Sequence, residues 1–217
     1  LGWDPDAACV ARRHASGMSL ALAAPLDRLF TATELNEWAL CAALHDRDPM
    51  HWSGLRDALR AYAEQSGPSP SSASLAEIDR PAALARLTNL AAQEQRPGLL
   101  ALAQEAWDRA LAAVIDDHVL TLGAGATGRS YDVANLPAVA DVPWQVLQSV
   151  PTALVTGSNG KTTTVRLVAA CAQAAGRRPG YCCTDGVFVG GAVIETGDYS
   201  GPAGARRVLR DRGVDAA

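Results

Sequence analysis

The sequence predicts an α/β chain in two parts, a mainly α-helical region followed by alternating strands and helices. Three observations predict this. Apolar residues recur at helical spacing up to about Asp117. From Thr152 onward, short apolar runs of strand length alternate with helical stretches. Between the two lies a connector rich in glycine and proline. The expected divisions are therefore residues 1–120, 121–150 and 151–217.

Composition bounds the function. The chain has 217 residues, of which 48% are hydrophobic, enough to bury a core. Its net charge of -4 argues against a nucleic-acid or membrane-surface partner, since either favours a basic face. No apolar stretch is long enough to span a bilayer, and the first residues do not read as a signal peptide. Cys9, Cys41, Cys171, Cys182 and Cys183 form neither a disulfide framework nor a zinc pattern. Reduced, buried thiols in a cytoplasmic protein are the expectation.

The first helix is expected in "TELNEWALCAALHD", with Thr33 as its cap and Leu35, Trp38, Ala39, Ala42 and Ala43 on its apolar face. The second begins with Ser53 as a cap and stops at Gly67. "GPSPSSAS", residues 67–74, reads as a loop. Asp79 and Pro81 open a third helix with Leu84, Leu87 and Leu90 inward. Pro97 opens a fourth, running through Trp107 and Ala110 to Val114 with those residues inward. "VLTL" then reads as a short strand. "TALVT" is a second strand, "KTTTVRLVAACAQAAG" a helix and "GYCCT" a third strand. "VFVGGAVIE" is a hairpin turning on Gly190 and Gly191. "SGPAGARRVLRD" is helical, and "VDAA" begins another strand.

"VTGSNGKTTT", Val155 to Thr164, joins the expected strand to the expected helix and contains Lys161, the chain's only lysine. Gly157 and Gly160 allow a tight turn whose amide N–H groups face an anion. The helix beginning near Thr162 adds its free N–H groups and the positive end of its dipole. A lysine ammonium reaches phosphates as a compact charge on a flexible stem, whereas arginine's planar fork does not fold into so tight a loop. The Thr162 hydroxyl can ligate Mg²⁺. The common pattern G-x-x-x-x-G-K-[ST] fails at one position, because Val155 stands where its first glycine would be.

This shortened loop resembles the ATP-binding loop of the Mur ligase superfamily, which includes the peptidoglycan-building Mur ligases, folylpolyglutamate synthase and the C-terminal half of cyanophycin synthetase. "TDGVFVGG", "GDYSGPAGARRVLRD" and "VDAA" are most similar to the cyanophycin-synthetase branch. The resemblance covers Pro151 to Ala217. It implies a P-loop, Rossmann-like parallel sheet and an ATP-dependent ligase that joins a carboxylate to an amine through an acyl phosphate. It implies ATP and Mg²⁺ as cofactors, with a small-molecule carboxylate and an amino acid or peptide-like amine as substrates. Gly157, Ser158, Asn159 and Gly160 would wrap the phosphates. Lys161 would bridge the β- and γ-phosphates, Thr162 would ligate Mg²⁺, and Thr163 would add a phosphate hydrogen bond. Thr184 corresponds to a hydroxyl near a second metal or the substrate, and Asp185 could serve the same metal or simply close a strand-end turn. Family members also use a later glutamate, a downstream histidine, often a carbamylated lysine, and a C-terminal domain. The chain is thus expected to be the front part of a ligase, inactive alone.

Two rival functions remain open on the sequence. One is a P-loop kinase acting on a small molecule, which would want a lid with arginines and a Walker-B aspartate. The other is a nucleotide-binding regulatory or interaction module without catalysis. Weaker motifs read as structure. "GAGATG", Gly123 to Gly128, spells a dinucleotide fingerprint, but "RSYDVANLP" after it prevents the required helix. Asp116, Asp117 and His118 read as a solvated helix end.

Overall fold

The computed structural model describes residues 1, 3, 8–66 and 78–217, so the expected loop at 67–74 and the helix stop at Gly67 lie outside the described residues. The chain divides into two compact units, Leu1–Pro97 and Gly98–Ala217.

The first unit is not wholly helical. It opens on an antiparallel hairpin, β1 (Cys9–His14) and β2 (Gly17–Leu22), paired from Cys9↔Leu22 to His14↔Gly17. Ser16-Gly17 at the turn is the signal that the helical reading passed over. Among the described residues three α-helices follow: α1 (Leu29–Arg47), α2 (Pro49–Ser66) and α3 (Arg80–Glu94). α1 starts before Thr33, which is not its cap; the Thr33 hydroxyl instead donates back to Leu29 O at 3.1 Å. The cap comes from far along the chain. Glu94 accepts from the Phe30 and Thr31 N–H groups, each at 2.8 Å, and from the Thr31 hydroxyl at 2.7 Å. A carboxylate there satisfies orphan donors and sits at the positive end of the helix dipole. The buried face of α1 is Thr31, Ala32, Glu34, Cys41 and Ala42, while Ala39 and Ala43 are exposed. Ser53 is likewise inside α2, and Asp48 accepts from the His51 N–H at 3.0 Å in the capping position. Asp79 does cap α3, accepting from Ala82 N at 3.1 Å. Ala83, Leu87 and Ala91 are its buried residues, and Leu84 is exposed. The thiols are all free, but Cys9 and Cys171 are exposed rather than buried.

In the second unit α4 (Pro97–Asp108) buries Leu99, Leu102, Ala103 and Ala106 and leaves Trp107 exposed. The helix ends earlier than its apolar pattern suggests. Leu111 N–H donates to Ala106 O at 2.8 Å, Ala110 N–H to Trp107 O at 2.9 Å, and Ala110 takes φ 56°. This is a Schellman C-cap with alanine where glycine is usual. The residues beyond it form β3 (Ala113–Ile115), which pairs antiparallel with β4 (Val119–Leu122), and β4 with β5 (Arg129–Asp132). Asp116 and His118 therefore sit in a strand turn, not at a helix end. The sequence Gly123–Gly128 leads through a short 3-10 turn into β5, so no helix follows the glycines. Leu99, Leu102, Leu120, Leu122, Val142 and Leu147 pack this part of the unit.

The rest of the unit contains α5 (Lys161–Ala174), β6 (Gly180–Cys183), β7 (Gly186–Val189), β8 (Ala192–Thr196) and α6 (Pro202–Arg210). β6, β7 and β8 form an antiparallel sheet, and the β7–β8 turn is at Gly190 and Gly191 with φ 57° and 85°. Val187, Val189, Val208 and Val214 pack between this sheet and α6. Gly180 is required there, because a Cβ would come within 2.6 Å of Val214 and 2.8 Å of Val208. The expected parallel sheet is not formed by named strands. "TALVT" has no strand geometry of its own. Its backbone nevertheless pairs: Ala217 N–H donates to Pro151 O and Ala153 N–H to Ala217 O, both at 2.8 Å. One parallel bridge, Pro179 with Ala216, joins the same segment to the start of β6.

Candidate functional site

The glycine loop precedes α5 in space as in sequence. Gly160 is the N-cap of α5 and lies in the left-handed region at φ 75°, and Gly157 has φ 146°. An L side chain at Gly160 would be strained by that backbone conformation. The space its Cβ would enter is open to 4 Å, so conformation rather than crowding selects glycine. α5 begins at Lys161, with the Thr164 N–H donating to Gly160 O at 2.9 Å. No side chain caps this helix start, so its first N–H groups face outward with the dipole's positive end.

Lys161 folds back over the loop and donates from Nζ to Gly157 O at 2.8 Å, with Ser158 O at 3.5 Å. The ammonium is exposed and has no carboxylate partner among the described residues. Ser158, Asn159 and Thr163 are exposed on the same loop and first helical turn. Thr162 lies one residue further and meets Thr184, hydroxyl to hydroxyl, at 3.3 Å. Thr184 follows β6, so the strand's end delivers it to the helix start.

Asp185 is engaged. Its carboxylate accepts from Arg166 Nη2 at 2.6 Å. Arg166 was not singled out by sequence, yet it belongs to the arrangement. Thr162 and Arg166 are four apart on α5 and share a face. They meet Thr184 and Asp185 respectively. The helical spacing and the turn at Asp185 were readable signals; the pairing of Arg166 with that turn was not. Behind this pair Tyr181 stacks on Phe188, with ring centroids 4.7 Å apart and planes at 9°. Burial pushes the Tyr181 hydroxyl's pKa up, with the Arg166 charge opposing.

The arrangement suits an anion with a cation beside it. A glycine loop, an uncapped helix start and an ammonium lie together, and Thr162 on that first turn meets Thr184 hydroxyl to hydroxyl. Nucleotide phosphates with Mg²⁺ fit that donor set. The adjoining cleft of about 410 Å³, bordered by Leu154, Val155, Val168, Tyr181 and Pro202, is mostly apolar and does not itself recognise phosphate. Among the described residues no group of three or more His, Cys, Asp or Glu is placed to hold a metal, and no helix is long and apolar enough to cross a membrane.

No protein-family profile matches the chain. It is similar in part to curated proteins named cyanophycin synthetase. The one from Geminocystis herdmanii is 46% identical over 68 residues, 31% of this chain and 8% of that protein. The one from Nostoc sp. is 43% identical over 82 residues, 37% of this chain and 9% of that protein. The one from Synechocystis sp. is 43% identical over 68 residues. The chain thus spans less than a tenth of the length of these relatives.

Proposed function

We propose that the chain carries the nucleotide-binding part of an ATP-dependent carboxylate–amine ligase of Mur-ligase type. The observation that carries this reading is the loop–helix junction at Gly160, where an uncapped helix start, a glycine nest and the only lysine converge. The partial identity to cyanophycin synthetases supports ligation among the reactions such a loop can serve. In this reading the backbone N–H groups of Gly157 to Gly160 and the first turn of α5 hold phosphate oxygens. Lys161 exchanges its bond to Gly157 O for a phosphate oxygen and stabilises charge on the transferred group. Thr162 and Thr184 offer hydroxyl oxygens to Mg²⁺, and Thr163 adds a hydrogen bond to phosphate. When bound, ATP supplies the phosphoryl group that activates a carboxylate toward an amine. The substrates are a small-molecule carboxylate and an amino acid or peptide-like amine, handled in the cytoplasm.

The same reading gives the loose backbone pairing a purpose. The bonds among Pro151, Ala153, Pro179 and residues 216–217 are the start of a Rossmann-like parallel sheet that presents the loop. Product analysis tests the function in the protein as its source cell makes it. ADP and phosphate released only when carboxylate and amine are both supplied mark a ligase. ADP with a stable phosphorylated product marks a kinase, and binding without turnover marks a regulatory module. The chain of residues 1–217 alone is expected to bind MgATP and form no amide.

A further inference from the structure

A second cavity in the same unit, about 440 Å³, is lined by Thr121, Gly128, Arg129, Ser130, Arg210 and Arg212. Its arginines differ in how they are engaged. Arg210 is held: Nη1 donates to Asp116 at 2.5 Å, Nε to the Thr121 hydroxyl at 3.0 Å, and Nη2 to Val119 O at 2.9 Å. Arg129 donates only to the backbone, at Gly128 O, 3.2 Å away. Neither Arg129 nor Arg212 has a carboxylate partner among the described residues. Two guanidinium charges thus border one cavity without neutralisation.

Two hydroxyls lie in series at this cavity. Arginine can only donate, so Thr121 Oγ1 accepts from Arg210; Thr121 Oγ1 also lies 2.9 Å from Ser130 Oγ, a pair in which either hydroxyl can be the donor. When Thr121 donates in that pair, the Ser130 O–H is left to donate outward. Ser130 is exposed and Thr121 buried, so the hydroxyl pair runs from the interior to the cavity. Asp116 anchors the pair's inner end, with its carboxyl lowered to about 2: burial opposes the shift, and Arg210 with the His118 and Val119 N–H groups outweighs it.

We propose that this cavity is a binding site for an oxyanion, a carboxylate or phosphate group of a small molecule, received by Ser130, Arg129 and Arg212. A planar guanidinium matches either group bidentately, and a hydroxyl donor adds direction. None of its lining residues belongs to the loop at Gly157–Thr163, so the site is separate from the nucleotide phosphates.

The test is a nuclear magnetic resonance titration of the full chain with inorganic phosphate and, in parallel, with succinate. A Lys161→Ala background removes the loop's main competing charge. The expected result is saturable movement of the Ser130 amide and the Arg129 and Arg212 Nε–H signals. Arg212→Gln and Arg129→Gln should each weaken it by about tenfold, while Arg212→Lys, which keeps the charge, should lose less. Tighter phosphate binding assigns a phosphorylated ligand, and tighter succinate binding a carboxylate. Unsaturable shifts, or unchanged affinity in both Gln variants with the fold intact by thermal melting, would overturn the site.

Discussion

Lys161 donates to a backbone carbonyl rather than to a carboxylate. Its bond to Gly157 O neutralises nothing, so a phosphate is a better acceptor than the one it has. Lys161→Ala is expected to weaken MgATP binding by about tenfold or more without loss of fold, read by calorimetry. An unchanged affinity would remove Lys161 from the site. Asp116 makes a different prediction. Its pKa is lowered from 3.8 to about 2, so its bond to Arg210 contributes stability that is fully present above the unfolded value. That contribution is lost as pH falls through about 2. The stability difference between the native chain and Asp116→Asn should therefore be constant from neutral pH to about pH 4 and shrink below it. Urea midpoints across that range check it; a difference that grows on acidification would mean the pair is not what holds the carboxylate. Glu34 shows the reverse balance. It is 1% exposed, burial pushes its carboxyl up, and Arg86 at 3.2 Å pulls it back. Arg86→Met strands that carboxyl and should cost about 3 kcal/mol at neutral pH by denaturant unfolding.

Element boundaries show the same physics at longer reach. The end of α4 places Ala110 at φ 56°, which an alanine adopts at a cost of about 1 kcal/mol and a glycine does not. Ala110→Gly should therefore stabilise the second unit by about 1 kcal/mol, seen as a raised urea midpoint. A neutral or destabilised variant would mean the cap is held by something other than local conformation. This helix end also explains what the sequence revealed and what it hid. Periodicity placed α1, α3 and α4, and paired glycines placed the β7–β8 turn, because those signals are local. Starts and stops failed where the partner was distant. Thr33 looked like a cap, but Glu94 caps α1 from across the first unit. Val114 continued the apolar face of α4, but its pairing with Thr121 made it a strand. At the candidate site, the loop and its lysine were legible as a pattern. Arg166 was not, because its meaning lies in Asp185, on a turn that only the fold brings to it.

At the scale of the whole chain, the two units give nucleotide binding an internal control. Every residue proposed to hold the nucleotide lies in Gly98–Ala217. Ligand that binds only the folded form stabilises it by RT ln(1 + [L]/Kd), about 2.7 kcal/mol at one hundred times Kd. The second unit has reason to respond strongly. α5 buries only Ala169 and leaves Leu167 and Val168 exposed, so its amides depend on few apolar contacts. The backbone that leads into the loop is tied by two bonds to Ala217 rather than by a full ladder. Saturating MgADP should therefore slow hydrogen exchange most in the loop, in the first turns of α5 and at Thr184. Peptides from α1 and α3 should exchange at unchanged rates. Lys161→Ala should abolish the protection in the second unit while leaving the exchange of the first unaltered. Protection that appears equally in α1 would mean the nucleotide binds elsewhere, and protection that survives in the variant would mean that the loop holds phosphate through its backbone alone.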